Sequence, residues 1–328
     1  MRIAGLISGL ISVLLLGAVL APPVAAAPDG KRVALLTTAN TQPYMGAWTA
    51  TFLKAAAPFG FKVTNQTTPY DAALQSQQID DAIAQKFDVI LVVTVNPQAI
   101  QPALTRAKAA GIPVILIVDP GAKDAEDLYT SFIGVDQTEL GRLAGENVLA
   151  GLAAEGKKTG QVAAVTGTAS QLNSSERMVG FKKVLAKAPD VKLVAEEDGK
   201  WNTAISETET SDLLVRFAGH GGLDAIFSMA DNQASGTIQA IQSAGLPLGV
   251  AQKGIVVVAS NCMKDGIIHI KDGSQFATNT QIPVEEANVA AQKLADFFDG
   301  KKLQKAEYVP SHSITRQNVD QYAAACSY

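Results

Sequence analysis

Polar side chains follow the ends of several predicted strands, and their types favour ligand binding over catalysis. Most are amides or singly charged groups, which offer directional hydrogen bonds to hydroxyls. The set comprises Gln42, Asp119, Asp136, Gln137, Arg177, Asp231, Asn261 and Gln281. Tyr44 and Trp201 accompany them and could cover the C–H surface of a compact molecule. In a parallel sheet the carboxyl ends of the strands share one edge, so these side chains could converge on one crevice and hold a neutral polyhydroxylated ligand.

Each of these residues also has a purely structural interpretation. The three aspartates border strand ends and could cap helices, and Arg177 could be a surface charge at a helix start. Trp201 could belong to the core, although it follows the polar loop EEDGK. A third aromatic, Trp48, lies within a helical pattern and is assigned to packing.

Several kinds of chemistry have no support in the sequence. It contains no GxGxxG, GxxxxGK[ST] or GxSxG motif, so neither nucleotide phosphate binding nor a hydrolase nucleophile is indicated. The histidines His220, His269 and His312 lie at none of the spacings of a metal site. A formal charge of -4 gives no general attraction for nucleic acid or anionic membranes. We therefore expect no catalytic residue, no metal and no cofactor.

The elements that position these residues alternate between strand and helix patterns. Apolar, β-branched runs predict buried parallel strands at 32–38, 61–66, 88–95, 113–119, 161–167, 192–199, 224–230 and 254–260. Helical patterns lie between them, and a further helix is predicted after residue 283. Such alternation predicts an α/β fold with parallel sheets covered on both faces. The 328 residues are enough for two domains.

The first 26 residues have the layout of a secretory signal peptide. Arg2 precedes the apolar run IAGLISGLISVLLLGAVLA, and Pro22-Pro23 and small residues follow it. Cleavage is predicted after Ala26, and an uncleaved membrane anchor is the alternative. No cysteine lies near this site, so no lipid anchor is expected there. The prediction is an exported, periplasmic protein.

Two cysteines, Cys262 and Cys326, fit an oxidising compartment. Their separation matches no zinc or redox motif, and an even count suggests one disulfide. The alternative is a buried Cys262 with a free Cys326 on a mobile tail.

Nearly the whole chain after the signal resembles the periplasmic sugar-binding proteins of ABC importers, in the type I group that includes ribose-binding protein. The resemblance is carried, in the family's order, by TTANTQPYMGAW, NPQAIQPAL, AKAAGIPVILIVDP, GVDQTELGRLAGE, SERMVGF, DNQASGTIQAIQSAG and FATNTQIPVEEA. It implies two doubly wound α/β lobes joined by a three-segment hinge, with the ligand between them. The crossings fall near 134–136, 281–283 and 309–311. They divide the chain into an N-terminal lobe (27–135 plus 282–309) and a C-terminal lobe (136–281 plus 310–328).

The family's ligand contacts map onto the polar residues named above, with Tyr44 and Trp201 as aromatic partners. The resemblance also assigns Met45, which stands where the family often has a second aromatic, and it places Asp231 beside a contact position. Three residues depart from the ribose-type pattern: Pro120, Ala230 and Asn261 stand where an arginine, an asparagine and an aspartate are usual. Because each departure removes a polar partner, the usual pyranose is not the expected ligand, although Asn232 could compensate. A differently arranged sugar, a linear polyol or a less oxygenated molecule fits better.

The function implied is that of a monomeric, non-enzymatic solute-binding protein that delivers a sugar or polyol to an ABC permease in the inner membrane. Two alternatives remain within the exported class: a ligand sensor for a chemoreceptor or kinase, and an enzyme acting on a sugar. A transcription regulator of the lactose-repressor type would need a DNA-binding segment where this chain has an export signal.

Overall fold

A computed structural model describes residues 30–328 of the chain. The predicted signal peptide lies outside these residues. Strands and helices alternate and form two six-stranded sheets, each covered by helices, which confirms the predicted two-lobed α/β fold.

The twelve strands are Arg32–Thr37 (β1), Lys62–Thr67 (β2), Val89–Val92 (β3), Val114–Ile117 (β4), Ser131–Gly134 (β5), Gly160–Thr166 (β6), Val191–Asp198 (β7), Ala225–Ser228 (β8), Val256–Val258 (β9), Ala277–Asn279 (β10), Ala306–Tyr308 (β11) and Ser313–Thr315 (β12). The α-helices of the described residues are Pro43–Ala56 (α1), Ala72–Ala84 (α2), Gln101–Ala109 (α3), Gln137–Ala154 (α4), Leu172–Leu185 (α5), Thr203–Ala218 (α6), Asp231–Ser243 (α7), Lys264–Asp272 (α8), Pro283–Phe298 (α9) and Val319–Tyr322 (α10).

The first sheet has the order β11-β5-β4-β3-β1-β2, and the second has the order β12-β10-β9-β8-β6-β7. All pairs are parallel except β10 with β12. We call the elements around the first sheet lobe one and those around the second sheet lobe two. The chain passes between the sheets three times, after β5, after β10 and after β11.

The central strands are buried on both faces because helices cover both sides of each sheet. In β1, Val33 and Leu35 point into one core, whereas Ala34 and Leu36 point into the other. Every second residue of the strand therefore points into the same core, as the pleat of a strand requires.

Helix α9 packs in lobe one although it follows strands of the second sheet in sequence. Its residues Ala287 and Leu294 share a core with Trp48 and Phe52 of α1. Trp48 is buried and stacks on Phe52, with ring centroids 5.2 Å apart. The exact lobe boundaries stay a prediction. None of the helices within residues 30–328 combines the length and apolar character needed to cross a membrane.

Candidate ligand-binding site

A cavity lies between the two lobes at the carboxyl ends of their strands. Thr38, Val93 and Val118 line it just beyond β1, β3 and β4 of the first sheet. Ala230 and Asn261 line it from beyond β8 and β9 of the second sheet. The empty space between the lining residues is about 530 Å³, including the part that opens to solvent.

Seven of the residues predicted from the sequence line this cavity. They are Gln42, Tyr44, Met45, Arg177, Trp201, Asn261 and Gln281. Asp119, Asp136, Gln137 and Asp231 do not line it. The assignment of any of these residues to a ligand stays a prediction.

The centre of the cavity wall is the guanidinium of Arg177, which is 1% exposed. Its Nε donates to Gln137 Oε1 at 2.7 Å, and Nη1 donates to the Met229 carbonyl at 3.0 Å and to Asn261 Oδ1 at 3.1 Å. Nη2 donates to Gln281 Oε1. Four of its five N–H groups are thus engaged, and one stays available. Burial lowers the pKa of Arg177 to about 10, so the group is charged at neutral pH.

Gln137 therefore holds Arg177 in place but does not itself line the cavity. It begins α4, is buried, and donates from Nε2 to the Val118 carbonyl at 3.2 Å while accepting from Arg177. Asp136 caps the same helix by accepting from the Glu139 amide at 3.1 Å. In this structure Asp136 therefore acts as a helix cap, which is the structural interpretation given to it above.

Trp201 forms one side of the cavity and is fixed by three contacts. Its Nε1 donates to Gln171 Oε1 at 2.7 Å, and the Arg177 guanidinium carbon lies 5.4 Å from its ring centroid. The carbonyl of Trp201 accepts from Asn232 Nδ2 at 2.8 Å. Lys200 and Trp201 both have positive φ, 52° and 55°, in a tight turn that presents the ring. An aromatic face held this firmly can pack against ligand C–H groups without losing much side-chain entropy.

The opposite side comes from the loop between β1 and α1 and from the loop after β2. Tyr70 donates from its hydroxyl to Gln42 Oε1 at 3.1 Å, which leaves the Gln42 amide nitrogen for a ligand acceptor. Burial raises the pKa of Tyr44 well above its ordinary value, so its phenol stays protonated. Pro43 stands in the first turn of α1, where its missing N–H costs nothing.

Asp231 is wholly buried behind the cavity wall. Its carboxylate accepts from the Met263 amide and Gln275 Nε2, both at 2.8 Å, and from Thr278 Oγ1 at 3.0 Å. These partners all belong to lobe two. Burial raises the pKa of Asp231 to about 7. Its contacts are structural ones that tie α7 to the start of α8 and to β10.

Asp119 is also wholly buried, but its partners belong to both lobes. It accepts from Thr94 Oγ1 at 2.5 Å within lobe one and from the Asn173 amide at 2.7 Å in lobe two. Burial raises the pKa of Asp119 to about 7, against the effect of these two hydrogen bonds.

Cys262 and Cys326 form the predicted disulfide, with Cα atoms 5.1 Å apart. Cys262 directly follows the cavity residue Asn261. The bond holds the segment after α10 against this wall, where the Tyr328 hydroxyl donates to the Asn261 carbonyl. The Tyr328 ring meets the Tyr44 ring edge-on, with centroids 6.4 Å apart.

Amide side chains, aromatic rings and the guanidinium of Arg177 thus line the cavity, and no carboxylate of residues 30–328 lines it. Within residues 30–328, no group of three or more His, Cys, Asp or Glu residues could hold a metal ion. The arrangement can exchange hydrogen bonds with an uncharged ligand. Such a cavity, shared by two lobes of one α/β architecture, agrees with the family model that fits this sequence. Residues 33–302 match the model described as "Periplasmic binding protein domain".

The chain belongs to the periplasmic binding protein domain family.

Individual relatives are similar over most of the chain. The ribose import binding protein RbsB of Bacillus subtilis (strain 168) is 27% identical over 257 residues, which is 78% of each chain. The xylitol-binding protein of Mycolicibacterium smegmatis (strain ATCC 700084 / mc(2)155) is 24% identical over 250 residues, 76% of this chain and 67% of the relative. The binding protein of the arabinose ABC transporter from Shewanella sp. ANA-3 has the same fold, with a TM-score of 0.81 at 23% identity over 90% of this chain and 95% of that one.

This periplasmic binding protein also has cavity residues that the sequence interpretation missed. They are Thr38, Pro43, Tyr70, Val93, Val118, Gln171, Asn173 and Met263. Gln171 and Asn173 stand in the polar stretch TASQLNSS after β6, a strand-to-helix gap like the one that pointed to Gln42. That signal could have identified both. Val93 and Val118 carry no such signal, because an apolar residue at a strand end is usually core.

Two of the three departures from the ribose-type pattern lie at the cavity itself, whereas Pro120 does not line it. Ala230 and Asn261 both line it, and the side-chain oxygen Oδ1 of Asn261 accepts a hydrogen bond from Arg177. Asn232 also lines it, and its Nδ2 is engaged by Trp201. Ala230 therefore makes the wall less polar than the asparagine of the ribose-type pattern would.

Proposed function

We propose that this protein is the solute-binding component of an ABC importer and captures a small neutral sugar or polyol between its lobes. One observation carries the proposal: amide groups and aromatic faces from both lobes converge with the Arg177 guanidinium on one cavity, and no carboxylate of the described residues lines it. The ribose and xylitol named for two relatives belong to the same chemical class. The family's description supports a periplasmic location and a binding role without catalysis.

The polar groups left available in the cavity suit hydroxyls. Asn173 is 6% exposed, and its Oδ1 has no hydrogen-bond partner among the described residues. A ligand hydroxyl could donate to this oxygen, and the amide nitrogen of Gln42 and the remaining N–H of Arg177 could donate to ligand oxygens. An unpaired buried carbonyl costs about 1–3 kcal/mol, which a matching hydroxyl would recover.

The aromatic and apolar groups set the shape of the ligand. Trp201 lies on one side, whereas Tyr44, Met45 and Tyr70 lie on the other. A ligand with an apolar C–H face fits between them. Because Ala230 stands at the cavity where an asparagine is usual, we expect a molecule with fewer hydroxyls than a hexopyranose or with a different arrangement of them.

Binding would bring both lobes onto the ligand, and the loaded form would dock on a membrane permease. A ligand can favour that form only through its preference for contacts from both lobes. The protein would act as a monomer, and ATP hydrolysis would be the task of its partners.

A thermal-shift screen of residues 27–328 tests the proposal. The panel comprises D-ribose, L-arabinose, D-allose, D-fucose, xylitol, ribitol, erythritol and myo-inositol, with D-glucuronate and D-glucosamine as charged comparisons. At a ligand concentration 100 times Kd, the native state gains about 2.7 kcal/mol and its Tm rises. We expect a shift with one neutral stereochemical class and none with the two charged sugars.

Two variants make the screen specific. Trp201→Ala should abolish the shift, whereas Val215→Ala on the exposed face of α6, where the side chain is 78% exposed, should keep it. Recovery of the unchanged ligand by chromatography would separate binding from turnover. A shift that persists in Trp201→Ala, or a converted sugar, would contradict the proposal.

A further inference from the structure

Three hydrogen bonds join lobe one directly to the segment 170–173 of lobe two. Ser170 Oγ donates to the Val95 carbonyl at 3.1 Å, and Gln171 Nε2 donates to the Thr94 carbonyl at 3.3 Å. The third runs from the Asn173 amide to Asp119 Oδ1 at 2.7 Å. All three acceptors belong to lobe one, just beyond the ends of β3 and β4.

The contact with Asp119 is the strongest of the three on chemical grounds. Asn173 lies in the first turn of α5, where backbone N–H groups have no partner within the helix and carry partial positive charge. The N-cap residue of α5, Gln171, makes no side-chain cap bond. Asp119, from the other lobe, supplies the acceptor that the helix itself lacks, in a hydrogen bond of the charge-assisted kind when it is ionised.

The backbone before Asp119 is shaped for this contact. Val118 has a φ of 64°, a region that a β-branched residue rarely adopts, and the Asp119 amide donates to the Ile117 carbonyl at 2.7 Å. The result is a tight three-residue turn that lifts the carboxylate out of the strand direction. Thr94 then fixes its other oxygen at 2.5 Å. Such a strained conformation persists only where its surroundings hold it.

The same segment also carries cavity residues. Gln171 accepts from Trp201 Nε1 at 2.7 Å, and Asn173 contributes the buried Oδ1 that has no partner among the described residues. Closing the lobes through Asp119 therefore places Asn173 and Trp201 at the cavity wall.

We propose that Asp119 is a positioning residue that latches lobe one onto the first turn of α5, and that it acts on ligand binding through Asn173 without touching the ligand. The latch consists of Asp119, Thr94 and the segment 170–173. Its contribution to closure is independent of which ligand the protein binds, so it can be measured on the protein alone.

Two measurements on residues 27–328 test the latch in the absence of any sugar. They are hydrogen–deuterium exchange followed by mass spectrometry, and small-angle X-ray scattering. Asp119→Ala should speed exchange of the peptide containing Asn173 by about 10-fold, because local opening exposes that amide. The radius of gyration should rise as the lobes separate. Asp119→Asn, which keeps an acceptor oxygen, should lie between wild type and Asp119→Ala.

Asp231→Asn is the matched control, because Asp231 is equally buried but accepts hydrogen bonds only within lobe two. It should lower the Tm and leave the Asn173 peptide and the radius of gyration unchanged. Wild-type exchange and scattering in Asp119→Ala would overturn the proposal, and so would equal changes in Asp231→Asn. If Asp119→Ala does not fold, the exposed Ser170→Ala must show a smaller change in the same direction, and its absence would overturn the latch.

These readouts need no ligand, so failure of the sugar screen would leave the latch standing. Conversely, a ligand that binds wild type but not Asp119→Ala, with exchange and scattering unchanged, would make Asp119 a direct ligand contact and contradict the latch.

Discussion

The Tyr44 hydroxyl donates to Glu286 Oε2 at 2.7 Å and so joins a cavity residue at the start of α1 to the first turn of α9. Glu286 is buried, and its Oε1 has no hydrogen-bond partner among the described residues. Burial raises the pKa of Glu286 to about 7. The cavity wall is therefore coupled to the helix by which the chain returns to lobe one.

Tyr44→Phe should destabilise the protein by about 1–3 kcal/mol, because it removes the hydrogen bond that the Tyr44 hydroxyl donates to the buried carboxyl group of Glu286. Urea unfolding followed by circular dichroism measures the change. Adding Glu286→Leu to Tyr44→Phe should recover part of the loss, since both polar partners are then gone. A double variant less stable than the sum of the two single variants would contradict this coupling.

Tyr308→Phe is the control for that series. Tyr308 is largely exposed, and its hydroxyl makes no hydrogen bond within residues 30–328. Its removal should change the free energy of unfolding by less than about 0.5 kcal/mol.

Gly167→Ala should displace Trp201 and remove ligand binding. A Cβ at Gly167 would lie 2.0 Å from the Trp201 ring, so the ring must leave its position against Arg177. We expect at least a 10-fold loss of affinity for whichever neutral sugar or polyol shifts the wild-type Tm, measured by calorimetry. The 15N-labelled indole resonance of Trp201 should move as well. Gly219→Ala, which meets no atom within 4 Å, is the matched control and should leave both unchanged. A wild-type indole position in Gly167→Ala would show that the ring is not packed on this glycine.

The sequence allowed the fold to be predicted because its central strands are continuous apolar runs. The structure has a strand in each of the predicted segments, usually shortened at the end by one to three residues. The strands β5, β10, β11 and β12 were missed. Their sequences SFIG, ATN, AEY and SIT are three or four residues long, and such short runs have no periodicity to distinguish them from loops.

Residues of the candidate site were predictable where their place just after a strand brings them to the cavity. Asn261 and Gln281 follow strands and Arg177 lies in the second turn of α5, and all three line the cavity. Asp119 and Asp231 have the same sequence context, yet they turn away to meet backbone amides. Whether such a residue lines the cavity or turns away from it depends on the local backbone. Val118 before Asp119 has a positive φ, and α7 begins at Asp231. No pattern of residue types specifies either feature.

The Cys262–Cys326 disulfide should stabilise the protein and order the cavity wall. Loop-closure entropy for a separation of 64 residues gives about 4 kcal/mol, so Cys262→Ser with Cys326→Ser should lower the urea midpoint substantially. The freed segment would also take Tyr328 from the Asn261 carbonyl and the Tyr44 ring.

Tyr328→Phe separates these two effects. It keeps the disulfide and removes the hydrogen bond to Asn261, so it should cost only about 0.5–1.5 kcal/mol. Ligand affinity should fall in both the cysteine double variant and Tyr328→Phe, and more in the former. Unchanged affinity in the cysteine double variant would mean that the segment after α10 does not support the cavity.

Stability should decrease as the pH rises from about 4 to about 7. Burial raises the pKa of Asp119, Asp231 and Glu286 to about 7 each, whereas in the unfolded chain such groups titrate near 4. In that interval the folded state holds protons that the unfolded state has released, so the free energy of unfolding falls with pH and levels off above about 7. His269 has the opposite effect on the free energy of unfolding, because burial lowers its pKa. It is a single group, whereas three acids lower the stability as the pH rises.

Urea midpoints at constant ionic strength between pH 5 and 8 measure this dependence. We expect a higher midpoint at pH 5.5 than at pH 8, and Glu286→Gln should flatten the curve because it removes one of the three groups. Exposed carboxylates whose pKa is lowered by lysine or arginine partners, such as Glu139 beside Arg142, titrate below this range and do not affect the comparison. A urea midpoint that rises steadily from pH 5 to pH 8 would contradict this prediction. It would show that the three acids are ionised in the folded protein at mildly acidic pH. The hydrogen bonds to Asp119 and Asp231 would then outweigh the cost of burying their charge.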